Sequence, residues 1–152
     1  SGPVACYDTK VATYQKLRKG NVVGNQVFTK TSYLKAVGGF DEQMPALQDW
    51  DTWLRLSNQY GDILNINTRS YIQIQNHAGE RITGKPAEKI RFAFNRLMNK
   101  LQPLTRSEES HLLATMYSGY PQIDIRISEL FKIFMGGHFR KVAQVVKRTL
   151  LK

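Results

Sequence analysis

Hydrophobic and polar positions divide the chain into a strand-rich first part and a helical second part. Four short runs with clustered or alternating apolar residues predict strands. They lie at residues 4–7, 21–30, 62–67 and 70–76. The run at 21–30 has Gly24 and Asn25 in its middle, which predicts a backbone irregularity at the glycine. Residues 11–19 are predicted to form a polar connection that ends at Gly20.

Two helices are predicted within the first part. Thr31 or Ser32 can cap a short helix, and the pair Gly38-Gly39 supplies a left-handed stop. Phe40, directly after this stop, is expected to anchor the core. A longer helix is predicted over residues 49–60, because its apolar residues fall on one face. These residues are Trp50, Trp53 and Leu54, and Gly61 ends the helix.

Apolar residues at spacings of three and four dominate the second part. They predict a helix over residues 86–101 that begins at Pro86. Pro103 breaks the pattern and marks the best boundary in the chain. We therefore expect two segments, residues 1–102 and residues 103–152.

The segment after Pro103 is predicted to be entirely helical. Thr105 and Glu108 have the spacing of a capping box at the start of its first helix. A second helix is expected within 125–135, and Gly136-Gly137 separate it from a last helix. In that last helix one apolar stripe is predicted. Its members are Phe139, Val142, Ala143, Val146 and Leu150.

Composition narrows the class of protein. Of the 152 residues, 41% are hydrophobic and 22% charged, which is typical of a soluble globular protein and not of a disordered one. The chain has no apolar run of the length that spans a membrane, and its start has no signal-peptide pattern. The single cysteine, Cys6, excludes an internal disulfide and favours a reducing compartment.

The net charge of +10 suggests an acidic partner, and it is concentrated at one end. Residues 126–152 hold seven Lys or Arg against one acid, hence +6, whereas residues 1–125 hold fifteen against eleven, hence +4. This amphipathic, cationic tail suits anionic lipid headgroups. The alternative is a solvated basic face on helices that pack back onto the domain. Nucleic acid is not expected, since aromatic and basic residues do not interleave.

Acidic residues are concentrated between residues 38 and 56, which hold four acids and both tryptophans of an otherwise basic chain. The stretch reads Gly38-Gly39-Phe40-Asp41-Glu42 and then, after Met44-Pro45, Gln48-Asp49-Trp50-Asp51-Thr52-Trp53-Leu54-Arg55-Leu56. Together with the run around Gly24-Asn25 and the short helix, it resembles the second half of the catalytic domain of family 2 glycosyltransferases. Those enzymes have the GT-A fold and transfer a sugar from a nucleotide-sugar with inversion. The resemblance covers residues 4–100.

The resemblance implies an α/β fold class. The chain would be a partial GT-A domain that lacks its N-terminal nucleotide-binding half, followed by an α-helical C-terminal extension. By motif position Asp49 looks like the catalytic base, since an inverting transfer needs a carboxylate that takes the acceptor proton. Acceptor contacts are expected from five further residues. These are Trp50, Asp51, Asn25, Asp41 and Glu42.

Each of these residues also has a plain structural interpretation. Acids in the first turn of a helix stabilise its dipole without any further role, and Asp51 in particular can brace the helix start. Tryptophans at helical spacing are commonly core residues, which is the interpretation for Trp53 and the alternative for Trp50.

The donor side of the resemblance is represented only by residues of a loop. His77 and Arg81 match a loop that lies near the donor diphosphate in the family, and His77 is the one candidate metal contact. His111 and His138 lack ligand spacing and are interpreted as structural. Asp49-Trp50-Asp51 has the form of the Asp-x-Asp metal triplet, but it opens an amphipathic helix instead of following an apolar strand. We therefore assign no metal to it, although the full-length enzyme is expected to use Mg or Mn.

These expectations describe a fragment of a bacterial transferase of cell-surface polysaccharide (O-antigen or capsule) biosynthesis. Its partners would be a nucleotide-sugar donor and a glycan or lipid-linked acceptor. The chain alone is expected to be inactive, because the donor-binding half would precede residue 1. Its expected place is the cytoplasm, or the inner face of the cytoplasmic membrane through residues 126–152. A non-catalytic interaction or membrane-surface-binding module with a basic tail is the alternative function.

Overall fold

Seven helices and two short strands form the regular structure within residues 10–66 and 85–150, the part of the chain that this computed structural model describes. They follow in the order β1 (Val11–Ala12), α1 (Tyr14–Leu17), α2 (Thr31–Ala36), α3 (Gln48–Tyr60), β2 (Ile63–Leu64), α4 (Ala87–Lys100), α5 (Arg106–Gly119), α6 (Ile127–Met135) and α7 (Phe139–Leu150). Cys6 and the predicted strands at 4–7 and 70–76 lie outside the described residues.

The two strands form an antiparallel ladder in which Val11 pairs with Leu64 and Ala12 with Ile63. The strand predicted over 62–67 is therefore present in shortened form. Its partner β1 was not predicted. Residues 11–19 were expected to form a polar connection, but they contain both β1 and helix α1. Thr13 caps α1, since its hydroxyl accepts the N–H of Lys16 at 3.2 Å.

The strand predicted over residues 21–30 is wrong. Asn21 folds this segment into a loop, because its Oδ1 accepts the N–H groups of Val23 and Gly24 at 3.1 and 2.9 Å. A side chain that binds nearby backbone groups competes with strand pairing. Gly24, at the expected irregularity, has a φ of 88°. Among the described residues the sheet has two strands, so the α/β class and the GT-A fold stay predictions.

The glycine stops were predicted correctly. Gly38 and Gly39 follow α2 with φ values of 82° and 65°, and Gly61 ends α3 with a φ of 92°. The start of α2 differs from the prediction, since its N-cap is Lys30, which makes no side-chain cap. The capping box at the start of α5 is confirmed: Thr105 and Glu108 each accept the backbone N–H of the other, at 3.2 and 2.8 Å.

One continuous hydrophobic core contains residues from both sides of Pro103. Its members from successive helices include Leu17, Trp50, Phe94, Leu112, Ile133 and Val145. The Trp50 ring meets that of Phe94 edge-on at 6.1 Å. The two predicted segments therefore share a core, while the boundary at residue 103 itself stays a prediction.

The stripe predicted for the last helix is only partly right. Val142 and Val145 face the core, whereas Phe139, Ala143 and Val146 are exposed. Leu150, the last predicted member, has a side chain outside the described part of the structure. The helix carries two adjacent apolar rows, and contact with α5 and α6 decides which of them is buried. The C-terminal helices thus pack against the rest of the chain.

Candidate functional site

The acidic stretch folds into a turn and a helix that are fastened to each other. Gly38 and Gly39 form the turn, and α3 carries Asp51 and Arg55 one helical turn apart. The Arg55 guanidinium donates to the backbone carbonyls of Val37 and Gly39, the latter at 2.7 Å, and to the Asp51 carboxylate at 2.8 Å. The left-handed glycines leave these carbonyls free to accept, because the chain turns away from the helix axis there.

Lys100, at the end of α4, joins the two parts of the motif. Its ammonium lies 2.7 Å from Asp41 Oδ2 and 2.8 Å from Asp51 Oδ1. Arg96 adds a second cation to Asp41 at 2.9 Å. Lys100 and Arg96 hold the pKa of Asp41 far below its usual range, chiefly through their hydrogen bonds. Asp41 and Asp51 are therefore structural anions that position α3 against the turn and α4.

Asp49 is the exception among the acids in the first turn of α3. Its Oδ1 accepts the N–H of Trp50 at 2.8 Å. Within residues 10–66 and 85–150 it forms no ion pair, and it is half-buried. Burial raises the pKa of Asp49, against the opposing effect of the N–H groups of Trp50 and Asp49 itself. The carboxylate is thus a better proton acceptor than an ordinary aspartate.

Tyr120, just after α5, lies within electrostatic reach of Asp49. Burial raises the pKa of the Tyr120 phenol, and the negative charge of Asp49 raises it further. Its ring also meets Phe94 edge-on at 5.8 Å. No sequence signal pointed to this neighbour, because Tyr120 follows the predicted boundary and belongs to no motif. An aromatic side chain whose phenol stays protonated at neutral pH therefore lies within electrostatic reach of Asp49.

Trp50, predicted as an acceptor contact, is placed in the core. Its side chain is 2% exposed, and its indole N–H donates to the carbonyl of Leu17 at 2.8 Å. Its face is therefore covered by protein, as in the alternative interpretation. Trp53 is also buried, as expected, and donates to Gly24 O at 2.8 Å. Phe40 is not a core anchor, since it is 49% exposed and touches Trp53 only edge-on at 6.0 Å.

The remaining predicted contacts are distributed around the motif. Asn25 and Glu42 are exposed, and Asn25 follows the Gly24 carbonyl that Trp53 holds. The buried Asp51 is 2% exposed and is fully engaged by Lys100 and Arg55. His77 and Arg81, the predicted donor-side residues, lie outside the described residues.

The Asp-x-Asp triplet does not fit a divalent metal in this structure. One carboxylate oxygen of Asp51 binds Lys100 and the other binds Arg55, so neither can coordinate without losing a cation. Residues two apart on a helix also point to different sides. Among the described residues no group of three or more His, Cys, Asp or Glu side chains is arranged to hold a metal.

A shallow concavity of about 390 Å³ lies along the outer face of α4. It is lined by Phe92, Asn95, Arg96, Asn99 and Lys100. Arg96 and Lys100 connect it to the motif through Asp41. Two amide side chains and an exposed aromatic ring form part of this lining, and no sequence motif marked this face.

His111 and His138 are brought together although they lie far apart along the chain. The distance from His138 Nε2 to His111 Nδ1 is 3.0 Å, and His111 Nδ1 also contacts the Ser107 carbonyl at 3.1 Å. Burial, and then the charges of His111 and Lys141, lower the pKa of His138. The pair therefore links the start of α7 to α5, which agrees with a structural role.

The chain is similar to a protein of Escherichia coli strain K12 named "Putative colanic acid biosynthesis glycosyl transferase WcaA". The two are 31% identical over 99 residues, a match that covers 65% of this chain and 35% of the relative. The matched part is thus about a third of the relative's length. No protein family matches the chain. No solved structure matches it. The similarity supports a relationship to glycosyltransferases in general.

Proposed function

We propose that this chain forms the acceptor side of an inverting family 2 glycosyltransferase. The enzyme would transfer a sugar from a nucleotide-sugar donor to a glycan or lipid-linked acceptor in bacterial cell-surface polysaccharide assembly. Two observations support the proposal. The motif from Gly38 to Leu56 resembles that family, and the similar E. coli protein is named for colanic acid biosynthesis.

The environment of Asp49 carries the proposal. Of the three aspartates in the motif, Asp41 and Asp51 are neutralised by cations, whereas Asp49 has none among the described residues. A general base must be free to take a proton, and a raised pKa brings its proton affinity closer to neutral pH. Asp49 meets both conditions, and its place in the first turn of a well-anchored helix fixes its orientation.

The proposed reaction is a single displacement. The acceptor hydroxyl attacks the anomeric carbon, and its proton passes to the Asp49 carboxylate. The new bond from the acceptor oxygen forms as the bond to the leaving diphosphate breaks, on the opposite face of the sugar. Tyr120, within electrostatic reach of Asp49, stays protonated and takes no proton in this step. Lys100, Arg55 and Asp51 hold the geometry and take no part in bond making.

We assign binding of the nucleotide-sugar donor to parts of the protein outside the described residues. His77 and Arg81 would contact the diphosphate there, and the Mg or Mn dependence expected of the full-length enzyme is not assigned to any described residue. We expect the 152-residue chain alone to transfer no sugar. Its place in the cell, in the cytoplasm or at the inner face of the membrane, is likewise part of the proposal.

The test is Asp49→Asn in the full-length protein that contains this chain. Turnover would be measured as release of nucleoside diphosphate from a panel of nucleotide-sugars, in the presence of lipid-linked acceptor extract. We expect a loss of about two to four orders of magnitude, since the amide keeps the hydrogen bond from Trp50 but cannot take the proton.

Asp62→Asn is the matched control, because Asp62 is exposed and lies outside the motif. It should transfer sugar at the unaltered rate. Unchanged turnover in Asp49→Asn, with Asp62→Asn also active, would contradict the base assignment and favour the interaction module.

A further inference from the structure

Helix α6 presents an apolar row to solvent. Ile127, Phe131, Phe134 and Met135 lie at helical spacing and are 86%, 64%, 47% and 62% exposed. The core-facing side of the same helix is formed by Leu130 and the fully buried Ile133. Packing of α6 onto the core therefore does not use the exposed row.

Helix α7 extends this surface. Phe139 and Val146 are exposed beside the inward-facing Val142 and Val145. The rings of Phe134 and Phe139 meet edge-on at 4.9 Å, so the outward rows of the two helices are in contact. We call this surface the α6–α7 apolar face. It consists of Ile127, Phe131, Phe134, Met135, Phe139 and Val146. A contiguous exposed patch of large apolar side chains marks an interaction site in a folded protein.

Within the described residues, the charged side chains of α6 and α7 that form no ion pair are all cations. Arg140, Lys141 and Lys147 are exposed and form no ion pair within the described residues. The one acid of α6 and α7, Glu129, is turned away, since it binds Arg91 at 2.9 Å and the Tyr117 hydroxyl. The apolar face is thus accompanied by cations that no protein anion neutralises.

We propose that the α6–α7 apolar face docks on an anionic lipid surface. Aromatic and aliphatic side chains would enter the boundary between headgroups and acyl chains. Arg140 and Lys147, which lie on one flank of the Phe139 and Val146 row, would contact acidic headgroups. A surface of exposed apolar residues accompanied by lysine and arginine matches an interfacial amphipathic helix. The rim of a protein interface is polar, whereas the unpaired charges that α6 and α7 carry within the described residues are all positive. None of the helices in the described part of the chain is long and apolar enough to span a bilayer.

The experiment measures partitioning of the 152-residue chain onto vesicles by co-sedimentation. One set of vesicles is phosphatidylcholine alone, and the other contains added phosphatidylglycerol. We expect binding to the acidic vesicles that weakens with salt, and little binding to the neutral ones. Because no sugar donor is involved, failure of this test leaves the role of Asp49 unaffected.

Two variants separate the contributions of charge and of apolar surface. The double variant Arg140→Gln, Lys147→Gln should weaken binding by about fivefold for each cation. The double variant Ile127→Ser, Phe131→Ser should weaken it by about tenfold or more. None of these side chains has a core contact, so both variants should fold, and circular dichroism would verify this.

Matched controls use equivalent residues at other sites. Lys35→Gln, Lys89→Gln removes the same charge from exposed lysines, and Leu64→Ser, Ile66→Ser removes exposed apolar residues near β2. Both should bind within about twofold of the original chain. Equal partitioning onto neutral and acidic vesicles would overturn the proposal, as would controls that lose as much binding as the variants. A dimer in sedimentation velocity that Ile127→Ser, Phe131→Ser dissociates would instead assign the face to a second copy.

Discussion

Asp49 and Asp51 are the same residue type two positions apart, and the structure gives their carboxylates opposite environments. Asp51 is held by Lys100 and Arg55, whereas the carboxylate of Asp49 is half-buried without a cation among the described residues. Asp49→Asn removes a charge that burial disfavours, and the amide oxygen can still accept the Trp50 N–H. We therefore expect its free energy of unfolding at neutral pH to be unchanged or higher.

Asp51→Asn, the matched change, should lower the free energy of unfolding by about 2 kcal/mol. It leaves two cations without their shared anion, although both cations reach solvent and recover part of the loss. Urea titration of both variants checks the contrast. Since the raised pKa makes the folded state bind the Asp49 proton more tightly, the original chain should also gain stability relative to Asp49→Asn as pH falls from neutral toward 3.8. Equal losses in the two variants would contradict this account.

The sequence distinguished Asp49 from Asp51 by motif position, but it could not identify what holds Asp51. Lys100 lies 49 residues further along the chain, and nothing local pairs the two. Trp50 presents a different problem. A tryptophan beside a predicted base is equally compatible with contact to a sugar ring and with burial in the core. Its burial is decided by Leu17 and Phe94, which belong to other elements. The role of a residue was therefore predictable only where its contacts come from residues nearby in the sequence.

Helices α1 and α5 are joined by a buried ion pair between Arg18 and Glu108. Arg18 also donates to the carbonyls of Leu101 and Pro103, at 3.0 and 2.9 Å. The hydrogen bond from Arg18 is the main cause that lowers the pKa of Glu108 to about 2. The stability from this pair is therefore present above the unfolded value of 4.5 and is lost as pH falls through about 2.

Glu108→Gln should lower the free energy of unfolding at neutral pH by about 3 kcal/mol, because Arg18 stays buried without its anion. Glu109→Gln is the matched change at the next position, where the partner Lys132 is half-exposed, and it should lose less than about 1 kcal/mol. Urea titrations from neutral to acid pH measure both. A loss in Glu108→Gln that is no larger than that in Glu109→Gln would contradict the role of the pair.

The contact between α5 and the end of α6 depends on a glycine. A Cβ on Gly136 would lie 2.0 Å from Ser110 Oγ and 2.3 Å from Ser110 Cβ. Ser110 is fully buried, so neither group can move aside easily. Gly136→Ala should therefore destabilise the chain by about 1–3 kcal/mol, as measured by thermal unfolding. Gly119→Ala, at the end of α5 where nothing lies within 4 Å, is the control and should leave the melting temperature unchanged or raise it.

Helix ends with strong local signals were predicted well. Elements for which two structures or two packing faces compete were not. The capping box at Thr105 and the stop at Gly38 each rest on residues within one turn of the chain. The strand expected at 21–30 failed because the Asn21 side chain satisfies the backbone groups that a ladder would use. In α7 two apolar rows compete, and only packing on α5 and α6 selects Val142 and Val145.

For the molecule as a whole, the distribution of charge along the sequence was a better guide to the structure than the predicted boundary at Pro103. The cationic end was visible in the sequence, and the structure places its cations beside an exposed apolar face. Pro103 was a good marker of a break between helices, yet the core continues across it. A proline interrupts backbone hydrogen bonding and carries no information about which helices later pack together.

The shared core predicts that the described helices unfold together. Ile133 on α6 is fully buried in the same cluster as Trp50 and Trp53 on α3. Ile133→Ala should therefore lower the free energy of unfolding by about 2–4 kcal/mol, and tryptophan fluorescence, which reports on α3, should shift as much as helical circular dichroism. Phe131→Ala is the control on the same helix, since its ring is 64% exposed and should matter by less than about 0.5 kcal/mol. If fluorescence kept its original midpoint in Ile133→Ala while circular dichroism shifted, the segments on either side of Pro103 would be folding independently.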